Sequence, residues 1–276
     1  MIIPLLSSCS DLAAVGDISS RLVTASSSWD DVASDIAGSC QREQTLNPEL
    51  RDCQAEQSAA DGMVGANALL RSYFQALGDA ANDSNFVIAP GLDTATASIA
   101  NIPGINSDQV QAASGLFAAL AKVATEAMRE STLRELIRHA PEARSLIREL
   151  DAPLVSRLGR RFDSEQIQLQ AQFGRLILAQ GDRVTDIQGL CTGSGAASFS
   201  GTGFLLVQEY CRRHALIERR QQALSDYQAS LHDADSALGE LQTSESKLKG
   251  RALAKRLYHV ASDLESKASA VRKAFA

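Results

Sequence analysis

Two pairs of cysteines stand at nearly equal distances either side of a chain reversal, and each pair limits the path the backbone can take. Cys40 and Cys53 flank Asn47-Pro48 in WDDVASDIAGSCQREQTLNPELRDCQAEQSAADG. Proline pushes the residue before it out of helical geometry, which makes Asn47-Pro48 a turn. Ahead of the turn, Trp29, Val32, Ile36 and Cys40 recur at helical spacing. Behind it, from about Glu49 to Ala81, Met63, Leu69, Leu70, Tyr73, Phe74 and Leu77 form a broad apolar stripe. An antiparallel helical hairpin with that tip sets Cys40 opposite Cys53, where the roughly 5.5–6 Å between Cα atoms that a disulfide needs is attainable. Cys191 and Cys211 flank GSGAASFSGTG in the same way, and a bridge there closes a loop too rich in glycine to order itself. Each closure is worth about 3 kcal/mol by the loop-entropy estimate. The competing reading of these four residues is a set of buried free thiols in a cytosolic protein.

Elsewhere the text also favours helices. Aromatics are only 5% of the chain against 45% hydrophobic residues overall, and the abundant residues are Ala, Leu, Arg and Glu, which are strong helix formers. Ser28-Trp29-Asp30-Asp31 reads as a helix start, with Ser10 to Ser27 before it as a tether or a weak first helix. Pro90-Gly91 and Pro103-Gly104 bracket a connector with a short helix between them. Ser107 is expected to cap a helix that runs until Pro141, and a further helical run covers about 142–180, with Pro153 as a potential break. Tyr227, Leu231, Ala234, Leu238 and Leu241 step by four and three, and Leu253, Leu257, Val260 and Leu264 resume that spacing in a shifted register. This predicts one long helix with a stutter, or two helices turned about Ser244 to Gly250, packed on the 142–180 run or on another copy. The expected fold is all-α: a helical bundle with a disulfide-stapled N-terminal hairpin and a long coiled-coil-like C-terminal segment. Its expected parts are residues 1–27 as truncated signal peptide and tether, 28–180 as bundle, 181–203 as Gly/Ser-rich loop, and 204–276 as long helices packing on the bundle.

Leu6-Ser7-Ser8-Cys9 resembles the lipobox of bacterial lipoproteins, in which a small residue precedes the cysteine that is lipidated and becomes the mature N-terminus. The resemblance implies a lipid anchor at Cys9, and Ser10 after it implies sorting to the outer membrane. The run before Cys9 is shorter than a full signal with its basic and apolar regions, so the natural start is expected upstream. Five cysteines are an odd number for an exported chain. Lipidation of Cys9 leaves Cys40, Cys53, Cys191 and Cys211 for two disulfides and implies the oxidising periplasm.

A search for chemistry returns little. Gly193-Ser194-Gly195 lacks the third glycine of a dinucleotide fingerprint, with Ser198 in its place, and no GK[ST] or GxSxG occurs. His214 with Glu218, and Glu135 with His139, are spaced to offer two metal ligands each, too few for a site. No catalytic residue, cofactor or metal ligand is therefore assigned. Arginines 129, 134, 138, 144, 148, 157, 160 and 161 alternate with glutamates and read as a salt-bridged solvated face. Residues 1–125 hold 14 acidic and 5 basic residues while 126–276 hold 19 and 22, so an acidic front half meets a mildly basic back half. Neither is basic enough for nucleic acid. The expected function is non-enzymatic: an envelope scaffold, inhibitor or interaction module that binds a protein partner, or itself, through helical surfaces. Two alternatives are a membrane-active protein inserting the uncharged segment 187–208, and a hydrolase using Ser194, Ser198 or Ser200.

Overall fold

Val15, Ile18, Leu22, Ala25, Trp29, Val32, Ile36 and Cys40 step by three and four along a single helix, α1 (Ser8–Leu46), and all eight are buried. The small polar stretch before Ser28 is thus the first half of a 39-residue helix, not a tether. Ser28 lies inside it and does not cap it: its hydroxyl donates to the Ala25 carbonyl at 2.6 Å, as Ser26 does to Val23 at 2.9 Å. Back-bonding of this kind satisfies small hydroxyls on a buried helix face. It lets a serine-rich segment enter a core.

The computed structural model describes residues 8–47, 52–125, 130–184, 186–193, 201–244 and 251–275. Among them are nine α-helices and no strand. After α1 come α2 (Gln54–Ala81), α3 (Leu92–Ser98) with a 3₁₀ turn at Ile99–Asn101, α4 (Ser107–Val123), α5 (Glu130–Arg138), α6 (Ala140–Ala179), α7 (Ile187–Cys191), α8 (Gly201–Thr243) and α9 (Arg251–Phe275). Gly91 and Gly104 take positive φ values of 79° and 90° at the two Pro-Gly turns, which frees the short α3 segment to fold back on α2. The cap of α4 is Asn106, one residue before the serine expected there. Its side chain accepts from Gln109 N at 3.0 Å, and the Gln109 side chain accepts from Asn106 N at 2.7 Å. Pro141 sits in the first turn of α6, where its missing N–H costs nothing. The helix then continues through position 153 to Ala179.

The C-terminal third is two helices. The turn between α8 and α9 falls within 245–250, outside the described residues. Helix α9 folds back along α8, where Lys267 pairs with Asp233, and fills the groove beside α1, where Arg21 reaches Glu265 at 2.7 Å. Helix α8 packs on α6 as well as α9. The heptad residues Tyr227, Leu231, Ala234, Leu238 and Leu241 are all buried within the chain. Trp29 stands where these layers meet. It is edge-on to Phe74 and Tyr227, with ring centres 6.3 and 6.5 Å away, and its indole N–H donates to Ser230 at 2.9 Å. One continuous apolar core runs from Val15 to Val271.

Candidate functional site

Both expected disulfides are present. Cys40 and Cys53 join the end of α1 to the start of α2, with Cα atoms 5.8 Å apart, and Cys191 joins α7 to Cys211 of α8 at 5.3 Å. Structural disulfides of this kind mark an oxidising, extracytoplasmic compartment. No helix among the described residues is long and apolar enough to cross a membrane. Cys9 falls in the first turn of α1. Ser194, Ser198 and Ser200 lie outside the described residues, as do the others of 194–200 within the uncharged segment 187–208.

Helices α6 and α8 are antiparallel: Phe173 faces Tyr210 with ring centres 5.9 Å apart, Gln221 donates to Asp163 at 3.0 Å, and Arg144 donates to Asp235 at 2.8 Å. Helix α1 ends at Leu46, level with Leu169 and Ile217, and all three line one cleft. At that end α2 begins beside Arg161, and α9 finishes with Phe275 against Phe162. Past this level α6 runs on by about 15 Å and the start of α8 extends by about 24 Å, at 1.5 Å per residue. The projection is a two-helix finger, bridged through α7 by Cys191–Cys211.

The finger and its foot are where the apolar surface gathers. Ile167, Leu176 and Leu178 of α6 and Phe204 and Leu205 of α8 are exposed, between 41% and 68% of their area; elsewhere among the described residues only Val87 and Tyr258 match them. Ile167, Ala171, Gly174 and Leu178 follow one another at helical spacing on an outer face of α6. Beside Gly174 and Leu178 a shallow groove opens onto Ile177, Val184 and Ile187.

At the foot of the finger lies a cleft of about 250 Å³ between α1, α6 and α8. Its walls carry Arg42, Arg212, Arg213 and Arg220 over Leu46, Leu169, Leu216 and Ile217. Arg42 donates to both oxygens of Asp35 at 2.7 and 2.9 Å and to Glu165 Oε1 at 2.8 Å. Burial opposes its charge, but the bonds to Asp35 and Glu165 prevail and hold the guanidinium above its ordinary pKa. Arg212 and Arg213 share Glu209, each with a 2.7 Å bond, and the pair brings that carboxyl down to about 2. Arg213 also lies 5.7 Å from the Phe173 ring centre. Arg220 differs. Burial and the nearby Arg42 and Arg219 charges push it below its ordinary pKa, only partly offset by Asp35 and Glu165.

The other sequence candidates have structural partners. His214 is buried, its Nε2 is 2.6 Å from the Gln166 amide, and its ring packs on Tyr210. Glu135 accepts from Lys122 at 2.5 Å, and His139 faces Glu142 at 3.3 Å. No group of three potential metal ligands occurs among the described residues. Arg144 and Arg148 bind Asp235 of α8, and Arg161 binds Glu43 of α1 and Glu56 of α2. These arginines are interhelical clamps more than a solvated face. The Arg161 clamp joins the acidic front half to the basic back half. The cleft arginines had a signal that periodicity alone did not surface: Arg213 and Arg220 are seven residues apart on α8, with Leu216 and Ile217 between them.

No family model matches this chain, and neither does any curated protein or solved structure.

Proposed function

We propose that the protein is a non-enzymatic bacterial envelope lipoprotein, held at the outer membrane through Cys9, which docks a protein partner on the α6–α8 finger. The observation that carries this reading is the concentration of exposed apolar side chains on a projecting, disulfide-bridged element. Exposed apolar patches on a well-packed chain mark sites that another surface covers.

The position of the anchor adds support. Cys9 opens α1 and the finger lies past its other end. A helix of 39 residues is about 58 Å long, so the finger stands roughly 75 Å from a lipid on Cys9. A chain anchored there presents the finger away from its own membrane, toward soluble or opposing partners. A membrane-active reading draws on the exposure of Phe204 and Leu205 beside an uncharged segment, but in the anchored chain it needs a second bilayer within reach.

The test is site-specific photocrosslinking in a bacterial envelope, with the probe placed at Ile167 or Leu178 and, as control, at Asp93. Discrete protein adducts from the finger positions alone, lost on Phe204→Glu, are expected. Absence of any discrete adduct from the finger removes the reading, and leakage of liposomes by the purified oxidised protein favours the membrane-active one.

A further inference from the structure

The basic cleft holds four guanidiniums, from Arg42, Arg212, Arg213 and Arg220, against three carboxylates, from Asp35, Glu165 and Glu209. Both oxygens of Asp35 and Glu165 Oε1 are taken up by Arg42, and Glu209 is divided between Arg212 and Arg213. Arg220 is the cation left over. Its side chain is 17% exposed, and its nearest carboxylate contact is 4.0 Å, from Nε to Asp35 Oδ2. That is beyond hydrogen-bond reach. Its Nε is buried without a hydrogen-bond partner, and Arg220 donates no hydrogen bond among the described residues.

A guanidinium has five N–H donors in a planar fork that matches carboxylate and phosphate oxygens. Buried polar groups in folded proteins are almost always bonded, and a charged one left unbonded is costly. A buried Nε–H without a protein partner, on an arginine that lines an open cleft, leaves a fork that an oxyanion can fill. The remaining wall is aliphatic, formed by Leu46, Leu169, Leu216 and Ile217. A bare inorganic ion leaves that wall against water, whereas an alkyl group covers it. We infer that the cleft binds an amphiphilic oxyanion, a carboxylate or phosphate carrying an apolar chain, with the head group on the Arg220 fork and the chain along the leucines. The site is separate from the outer apolar face of the finger and does not depend on a partner docking there.

The experiment is titration calorimetry of the full oxidised chain with octyl phosphate, octanoate, octanol and inorganic phosphate, each below its aggregation threshold, on the parent and on Arg220→Leu and Arg220→Gln. One anionic amphiphile is expected to bind saturably, at least tenfold more tightly than inorganic phosphate, with no binding of octanol. Both substitutions are expected to weaken it at least tenfold while leaving the melting temperature close to the parental value, because Arg220 donates no hydrogen bond that folding depends on. Preference between octyl phosphate and octanoate names the head group. In the parent, the Arg220 Nε–H resonance is expected to move with the titration, a readout that needs no variant. Lack of saturable binding by either anion, an unmoved Arg220 resonance, or undiminished binding in both variants overturns the assignment. Equal binding of inorganic phosphate overturns the apolar part of it.

Discussion

At Gly65 a single missing carbon decides whether α3 can lie on α2. A methyl group there would overlap the Ala95 carbonyl oxygen and the Ser98 hydroxyl, and one at Gly62 would stand 2.8 Å from Ile102 and from the Ser98 carbonyl. Alanine is the better helix former by about 1 kcal/mol, yet the clash is with backbone that cannot swing aside. Gly65→Ala is expected to destabilise the protein by about 1–3 kcal/mol, the usual range for overpacking, read as a lowered denaturation midpoint. Asp235 gives a pH dependence. Burial works against its charge, but Arg144 and then Arg148 overcome that and hold the carboxyl below its ordinary value. A carboxyl depressed in the folded state contributes stability above its unfolded value of about 3.9, and the contribution is lost as pH falls through the lower folded value. Asp235→Asn should therefore lower the melting temperature at pH 7, with the gap to the parent closing below about pH 4.

The finger and the N-terminal hairpin use the same covalent device for different ends. Cys40–Cys53 ties two helices that already share the main core, next to the Arg161 clamp on Glu43 and Glu56. Its loss is expected to cost about 3 kcal/mol of global stability by the loop-entropy estimate. Cys191–Cys211 ties the short α7, whose own stability rests on the Asp186 cap and a few apolar contacts, to the start of α8. Replacing both cysteines by serine should act locally. Amide exchange should speed up in α7 and the first turns of α8, while protection in α1 and α2 stays as in the parent. Uniform loss of protection across all helices would show instead that the finger is coupled to the main core.

For the molecule as a whole, the core is continuous from α1 to α9, and α1 is its axis: α2, α6, α8 and α9 all pack on it. A core without an internal boundary unfolds cooperatively. Scanning calorimetry of the oxidised protein should show one transition, and two resolved transitions would mean that the α3–α5 side melts apart from the rest. The same arrangement separates the two ends of the chain's surface. The Cys9 end of α1 lies far from the finger and the basic cleft.

Helical class, the Cys40–Cys53 and Cys191–Cys211 pairings and the heptad stripe of α8 could all be read along the chain, because each depends on spacing within one segment or across one turn. The first half of α1 could not. Its serines and alanines look like a linker until α2 and α9 approach closely enough to need small side chains there. The cleft was equally hidden. Arg42, Glu165 and Arg220 are far apart in sequence, and whether an arginine is paired or left over depends on which carboxylates three packed helices bring to it. Periodicity specifies which face of a helix is apolar. The order in which those faces meet, and the charge left unmatched between them, arises only when the helices close on one another.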